Sequence, residues 1–150
     1  MEKSNQKTDE ITFYRCDICH NIIFKICDSG ITPQCCARSM TKLIPGDSDG
    51  DVEKHLPSWS VDGNKIHIEI GSKHHPMSEE HYIQWIFLKT DKGFHCKYLT
   101  PSDHPTACFK LTNGEIAQSI YSYCNIHGLW RTSIDEAMME NQAICADHCR

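Results

Sequence analysis

The sequence predicts an all-β chain: a small metal-stapled module, then an immunoglobulin-like β-sandwich, then a short tail with helical potential. Three observations carry this. Ten Cys and ten His among 150 residues make a composition rich in metal ligands. Five of those Cys crowd into residues 11–44, a segment with little aromatic mass. Beyond it, short apolar runs follow strand patterns, and no long helical periodicity competes before residue 132.

The order of elements follows from composition. Residues 45–51, Pro-Gly-Asp-Ser-Asp-Gly-Asp, are turn formers and carboxylates, and read as a linker. Ile66, Ile68 and Ile70 alternate with His67 and Glu69, which predicts a strand with one buried and one wet face. Residues 82–88 (YIQWIFL) are β-rich and nearly all apolar, as in a strand buried on both sides. Asp91-Lys92-Gly93 supplies a hairpin turn before a strand at residues 94–98. Further strands are expected at 106–111 and 119–124, and strands this short between Gly, Pro and Asp turns suggest a sandwich. Ile134, Ala137, Met138 and Ile144 allow a short amphipathic helix in the tail. The expected domains are thus 1–46, 47–131 and 132–150.

Composition also limits function. A net charge of -5 disfavours nucleic acid as a partner, because phosphate binding needs a basic surface. Every apolar run is interrupted well short of the roughly 20 residues of a membrane span. Residues 1–10 are polar and of mixed charge, without the apolar core of a signal peptide, so a cytoplasmic location is expected. Thiols in that compartment stay reduced, which turns the Cys count from a disulfide signal into a metal signal.

Cys16 and Cys19 form a C-x2-C pair, followed after fifteen residues by adjacent Cys35 and Cys36. Four such sulfurs can enclose one tetrahedral iron or zinc, and spacing does not separate the two metals. A redox C-x2-C is disfavoured because the pair is not set between a strand and a helix. Adjacent ligands must bend the backbone to reach one ion, and Pro33 is placed to help. About 35 residues bury too little core to fold without the metal.

A second set of soft ligands is spread over residues 53–131: Glu53-Lys54-His55, His74-His75-Pro76-Met77, His81, and the C-x2-H pair Cys124 and His127. Each lies near an expected strand end, where loops converge. On the residues alone this is a mixed nitrogen and sulfur site for zinc or iron, with His74 and His75 both eligible. A small electron carrier, or a zinc-stapled binding protein without redox activity, fits that much.

The N-terminal segment, from Phe13-Tyr14-Arg15-Cys16 to Ile23 with Pro33-Gln34-Cys35-Cys36 and Met40, resembles a desulforedoxin module, whose four thiolates hold iron. His20 and Ala37 stand where that pattern usually has Gly. Residues 52–131 resemble the catalytic domain of superoxide reductases, so the whole chain resembles the two-iron desulfoferrodoxins. The resemblance implies His55, His75, His81 and His127 as imidazole ligands of a second iron and Cys124 as its axial thiolate, the His-Pro-Met motif selecting His75. It implies catalytic roles for Glu53 and Lys54. The lysine draws in the anion, and the glutamate takes the sixth position of the ferric resting state; Lys73 lies close enough in sequence to add to the field. It further implies one-electron reduction of superoxide to hydrogen peroxide, a rubredoxin-like electron donor and a homodimer.

The remaining candidates have plainer expectations. His20, His67, His95 and His104 are expected at the surface, and Cys27, Cys96 and Cys108 as small core residues. Trp59, Trp85 and Trp130 are expected as core mass, with Trp130 also excluding water beside the Cys-His loop. Cys145, His148 and Cys149 are expected as free groups of a frayed end, in preference to a third metal site.

Overall fold

A computed structural model of the chain describes residues 10–48 and 50–139. Two compact units divide between Leu43 and Ile44.

The first unit is built from very short strands. β1 (Phe13–Arg15) pairs antiparallel with β2 (Ile22–Phe24) and with β5 (Thr41–Lys42), while β3 (Gln34–Cys35) and β4 (Arg38–Ser39) form a separate hairpin. Its core is Tyr14, Cys16 and Met40, with Cys35 packed against them. So small a core leaves most of the stabilisation to whatever the cysteines bind. The bend expected at the adjacent cysteines is a two-residue hairpin turn: Cys35 pairs with Arg38, and Cys36 and Ala37 between them have φ of 51° and 59°. Positive φ at both central positions is the type I′ pattern, which favours Gly or Asn. His20, closing the C-x2-C loop, has φ of 64°. The two positions where the resemblance leads one to expect Gly are therefore left-handed backbone positions, and this chain accepts the cost of a side chain at each.

Among the described residues the second unit is a seven-stranded immunoglobulin-like sandwich, all antiparallel. One sheet has the order β10-β7-β6, from β6 (Pro57–Asp62), β7 (Lys65–Ile70) and β10 (Thr106–Lys110). The other has the order β12-β11-β8-β9, from β8 (Ile83–Thr90), β9 (Phe94–Tyr98), β11 (Ala117–Cys124) and β12 (Gly128–Ser133). The core between them holds Ile66, Ile68 and Ile70 of β7 against Ile86 and Leu88 of β8 and Ile120 of β11. These six are at most 1% exposed, and each such burial stabilises by about 1.5–3 kcal/mol. The alternation read in residues 66–70 appears as expected, while the run at 82–88 forms β8 from Ile83 with Ile83, Ile86, Phe87 and Leu88 buried and Tyr82, Gln84 and Trp85 only partly so.

Several features depart from expectation. The segment read as a linker packs against the second unit: Gly46 N–H donates to the Leu129 carbonyl. A Cβ at Gly50 would lie 2.9 Å from the His127 side chain. A four-residue helix, α1 (Val52–His55), follows it, capped by the Asp51 carboxylate accepting from Glu53 N–H. β12 occupies residues where no strand was expected. Cys27, Cys96 and Cys108 are exposed rather than in the core. Cys96 and Cys108 occupy the solvent-facing phase of sheet-edge strands, so their apolar character did not decide their side. Trp59 is only partly buried against the core, and Trp85 is partly buried, stacked on Tyr123 with ring centroids 5.6 Å apart. His95 is half-buried, its Nε2 3.0 Å from Glu115. In the tail, Ile134 is buried and residues 136–139 form one helical turn, while Ile144, Cys145, His148 and Cys149 lie outside the described residues.

Candidate metal centres

In the first unit the ligand atoms of Cys16, Cys19, Cys35 and Cys36 all lie within 4.8 Å of one another. Two local devices bring them there. The loop after β1 curls back, with Cys16 N–H donating to the Asn21 carbonyl and His20 N–H to the Cys16 carbonyl, both at 2.9 Å. The Cys36-Ala37 turn then presents the second pair. Cys19 and Cys35 sulfurs are 3.5 Å apart, and the Asn21 amide donates to Cys35 Sγ at 3.7 Å. The Cys19 and Ile18 N–H groups lower the Cys16 thiol to about 6, making it a ready thiolate. Cys36 is pushed up to about 12, first through its contact with Cys19. Four thiols so close resist ionising together unless a cation neutralises them, so the set fits a bound metal.

The second centre forms at one end of the sandwich. His55 ends α1, His75 follows the turn after β7, His81 precedes β8, Cys124 ends β11, and His127 lies in the turn into β12. Their ligand atoms again all lie within 4.8 Å. The four rings form a closed circuit of edge-on neighbours: His55 to His75 at 4.5 Å, His75 to His81 at 4.7 Å, His81 to His127 at 5.1 Å and His127 to His55 at 4.6 Å. His55 and His81 face each other across it at 6.3 Å. Cys124 Sγ lies 3.8 Å from His127 Nδ1 and accepts from His127 N–H at 3.4 Å.

Supporting contacts set which nitrogens point inward. His55 Nδ1 donates to the Asp51 carbonyl at 2.6 Å, and His75 Nδ1 to the Pro76 carbonyl at 2.7 Å. That leaves Nε2 as the lone-pair atom of each. The Nε2 atoms of His55, His75 and His81 are buried without a hydrogen-bond partner, a costly arrangement for three neighbouring ring nitrogens unless they bind an ion. Burial lowers the pKa of His75 to about 4 and also lowers those of His55 and His81, keeping the imidazoles neutral as ligation requires. Burial likewise raises the Cys124 thiol, against the His127 and Ile126 N–H groups, so this sulfur needs a cation to become a thiolate. The donor set fits iron: neutral nitrogens with one sulfur.

Glu53 and Lys54 sit on the exposed side of α1. Lys54 is near enough to help lower His81, and Glu53 pairs with Lys73 at 3.7 Å. His74 is exposed, outside the cluster formed by His75. Sequence reasoning expected Trp130 to exclude water beside the Cys-His loop but not its contact with His55, and it missed two further supports, Gly71 and Asn125. The Trp130 ring stacks on His55 at 4.8 Å, covering one face of that ligand. Gly71 lets the loop after β7 lie directly on the α1 backbone. Asn125, inside the C-x2-H pair, ties that loop to the His81 segment. The Gly before the His-rich run and the Asn between Cys and His were the available signals.

Comparison with known proteins agrees with this arrangement. Residues 47–133 match the desulfoferrodoxin family. A desulfoferrodoxin homolog of Archaeoglobus fulgidus is 37% identical over 125 residues, 83% of this chain and 98% of its own. The desulfoferrodoxin of Nitratidesulfovibrio vulgaris is 35% identical over 123 residues, 82% of this chain and 96% of its own. Among solved structures, the superoxide reductase from Treponema pallidum is similar with a TM-score of 0.71 and 31% identity, covering 83% of this chain and 99% of that one.

Proposed function

This chain belongs to the desulfoferrodoxin family, and on that premise we infer that it is a superoxide reductase with two non-haem iron centres. The reading is carried by the ring of four imidazoles with Cys124 Sγ beside it, three of the imidazoles presenting unpartnered Nε2 atoms within the cluster. We assign His55, His75, His81, His127 and Cys124 to one iron and Cys16, Cys19, Cys35 and Cys36 to the other. The domain reading is a four-thiolate module at 1–46, a catalytic domain at 47–131 and an extension at 132–150.

His55, His75, His81, His127 and Cys124 would hold the iron, which when bound and ferrous would supply the one electron that, with two protons, converts superoxide to hydrogen peroxide. The protein does the rest. Asp51 and Pro76 carbonyls fix the orientation of His55 and His75. Trp130 shields the His55 ring from water. Lys54, on the exposed side of α1, supplies a local cation that a chain of net charge -5 needs to attract an anion. Glu53 is the carboxylate available to close the site between turnovers, with Lys73 as its alternative partner. The electron is resupplied by an external small iron protein of rubredoxin type. The chain acts as a homodimer in the cytoplasm; the absence of any helix long and apolar enough to cross a membrane among the described residues is compatible with that location.

The test is anaerobic rapid mixing of the reduced protein with superoxide. Oxidation of the imidazole–thiolate centre, read by its absorption band, is expected within the mixing experiment and is lost in Cys124→Ser. A band that stays unchanged on mixing would overturn the reading.

A further inference from the structure

The segments that carry the second centre come from distant parts of the chain, so something must hold them in register. His81 lies 43 residues before Cys124, and no strand-pairing contact joins the two at the ligand level itself. The β8–β11 ladder is irregular there: its register shifts between Tyr123 and Cys124, and the last pair is Cys124 with Ile83. The ladder therefore ends just short of His81.

Asn125 takes over where the ladder stops. Its Nδ2 donates to the Glu80 carbonyl at 2.9 Å, its Oδ1 accepts from Tyr82 N–H at 2.9 Å, and its own N–H donates to the Tyr82 carbonyl at 3.2 Å. Glu80 and Tyr82 flank His81 on both sides. One side chain thus grips the peptide units before and after a proposed ligand, while its own backbone sits between Cys124 and His127. The opposite directions of the two amide bonds need both a donor and an acceptor at one position, and a carboxamide supplies them on two separate atoms. Asn has the length for it without added rotamer freedom. His81 is held from its other side by Ser78, whose N–H donates to the His81 carbonyl at 3.0 Å.

We propose that Asn125 is a positioning residue for the imidazole–thiolate iron centre, fixing the distance between His81 and the Cys124–His127 loop through its three hydrogen bonds to Glu80 and Tyr82. This rests on the reading of that cluster as an iron site. Removing the two side-chain bonds leaves all five ligands and the backbone bond to Tyr82 in place but loosens the tie between two of the segments carrying them, so iron is held less tightly and the thiolate-to-iron band moves. Loss of outer contacts of this kind costs roughly 10–100-fold in metal affinity.

The experiment loads iron into full-length wild type, Asn125→Ala and Asn125→Asp, and measures competition with a chelator together with the thiolate-to-iron band. The four-thiolate band of the same molecule is the internal control. Asp103→Ala is the stability control, because Asp103 caps a remote turn through Thr100 N–H at 2.7 Å. Expected is a tenfold or greater loss of affinity at the second centre in Asn125→Ala, with a shifted band and an unchanged first centre. Asn125→Asp keeps the acceptor towards Tyr82, loses the donor towards Glu80, and falls between. Should the Ala variant not fold, the Asp variant decides alone: an affinity and band equal to wild type overturn the proposal. So does an equal loss in Asp103→Ala, which would make the effect one of stability. A wild-type centre that binds iron but leaves superoxide unreacted overturns the functional reading and leaves this inference standing.

Discussion

Gly71→Ala puts the largest predicted disturbance on the site with the smallest chemical change. Gly71 has φ of +84°, and a Cβ there would lie 2.4 Å from the Lys54 carbonyl oxygen, 2.6 Å from the Lys73 carbonyl oxygen and 2.8 Å from the Lys54 carbonyl carbon. All three are backbone atoms, so no side chain can swing away. The loop must lift off α1, straining the Gly71 N–H bond to the Leu56 carbonyl and the Ser72 N–H bond to the Glu53 carbonyl. Left-handed φ costs an L-residue roughly 1–2 kcal/mol. Forcing an extra methyl into a closed contact costs roughly 1–3 kcal/mol more. The sum is roughly 2–5 kcal/mol. Gly63 is the control, with φ of +60° and nothing within 4 Å of an added Cβ, so Gly63→Ala bears only the first cost. Denaturant unfolding of both iron-loaded variants gives the comparison. Because the loop would be pushed off α1, the element that carries Glu53, Lys54 and His55, the Gly71 variant should also weaken the imidazole–thiolate band. Equal destabilisation by the two substitutions would refute the packing argument.

Other outcomes follow from the same geometry. Ala37→Gly and His20→Gly relieve left-handed strain beside the four-thiolate site, and each should stabilise the first unit by about 0.5–1 kcal/mol, read as resistance of its band to denaturant. Lys54→Ala should slow the reaction with superoxide about tenfold at low salt and flatten its dependence on ionic strength, which stopped-flow rates over a salt series would show. Burial disfavours ionised Glu115, but the Thr90 hydroxyl, Thr112 N–H and His95 outweigh it and hold the carboxyl at about 2. A carboxylate depressed on folding stabilises above its unfolded pKa near 4.5 and loses that contribution as pH falls towards 2. Glu115→Gln should therefore cost roughly 2 kcal/mol at neutral pH and progressively less below pH 4.5, measured as the stability difference from wild type.

Much of the sandwich was legible because burial imposes a period. Ile66, Ile68 and Ile70 could be assigned to one face without knowing the partner strand, and residues 82–88 had too few polar groups to lie at a surface. Elements without that period were not legible. α1 has four residues, too few for a helical repeat, yet it delivers His55. The strands of the first unit have two or three residues and exist because the cysteines require their turns. β12 opens with Gly128 at φ of 74°, and its Arg131, Thr132 and Ser133 look like loop, although they pair in register from Ser119–Ser133 to Cys124–Gly128. Residues 45–51 look like linker by composition, but small side chains there also permit close approach to His127 and Trp130.

The candidate site divides the same way. The C-x2-C and adjacent-Cys spacing pointed to a common metal without further help. The imidazoles did not: no residue-level signal separates His75 from exposed His74, and the resemblance supplied that choice. Supports such as Asp51, Pro76, Trp130 and Asn125 act through carbonyls, ring faces and amides, which carry no sequence pattern of their own.

Reduction of superoxide and its dismutation differ in what they release. With excess reduced donor and a known quantity of superoxide, one hydrogen peroxide is expected for each superoxide consumed, and no dioxygen. Half that peroxide yield, with dioxygen making up the balance, would contradict the reductase reading.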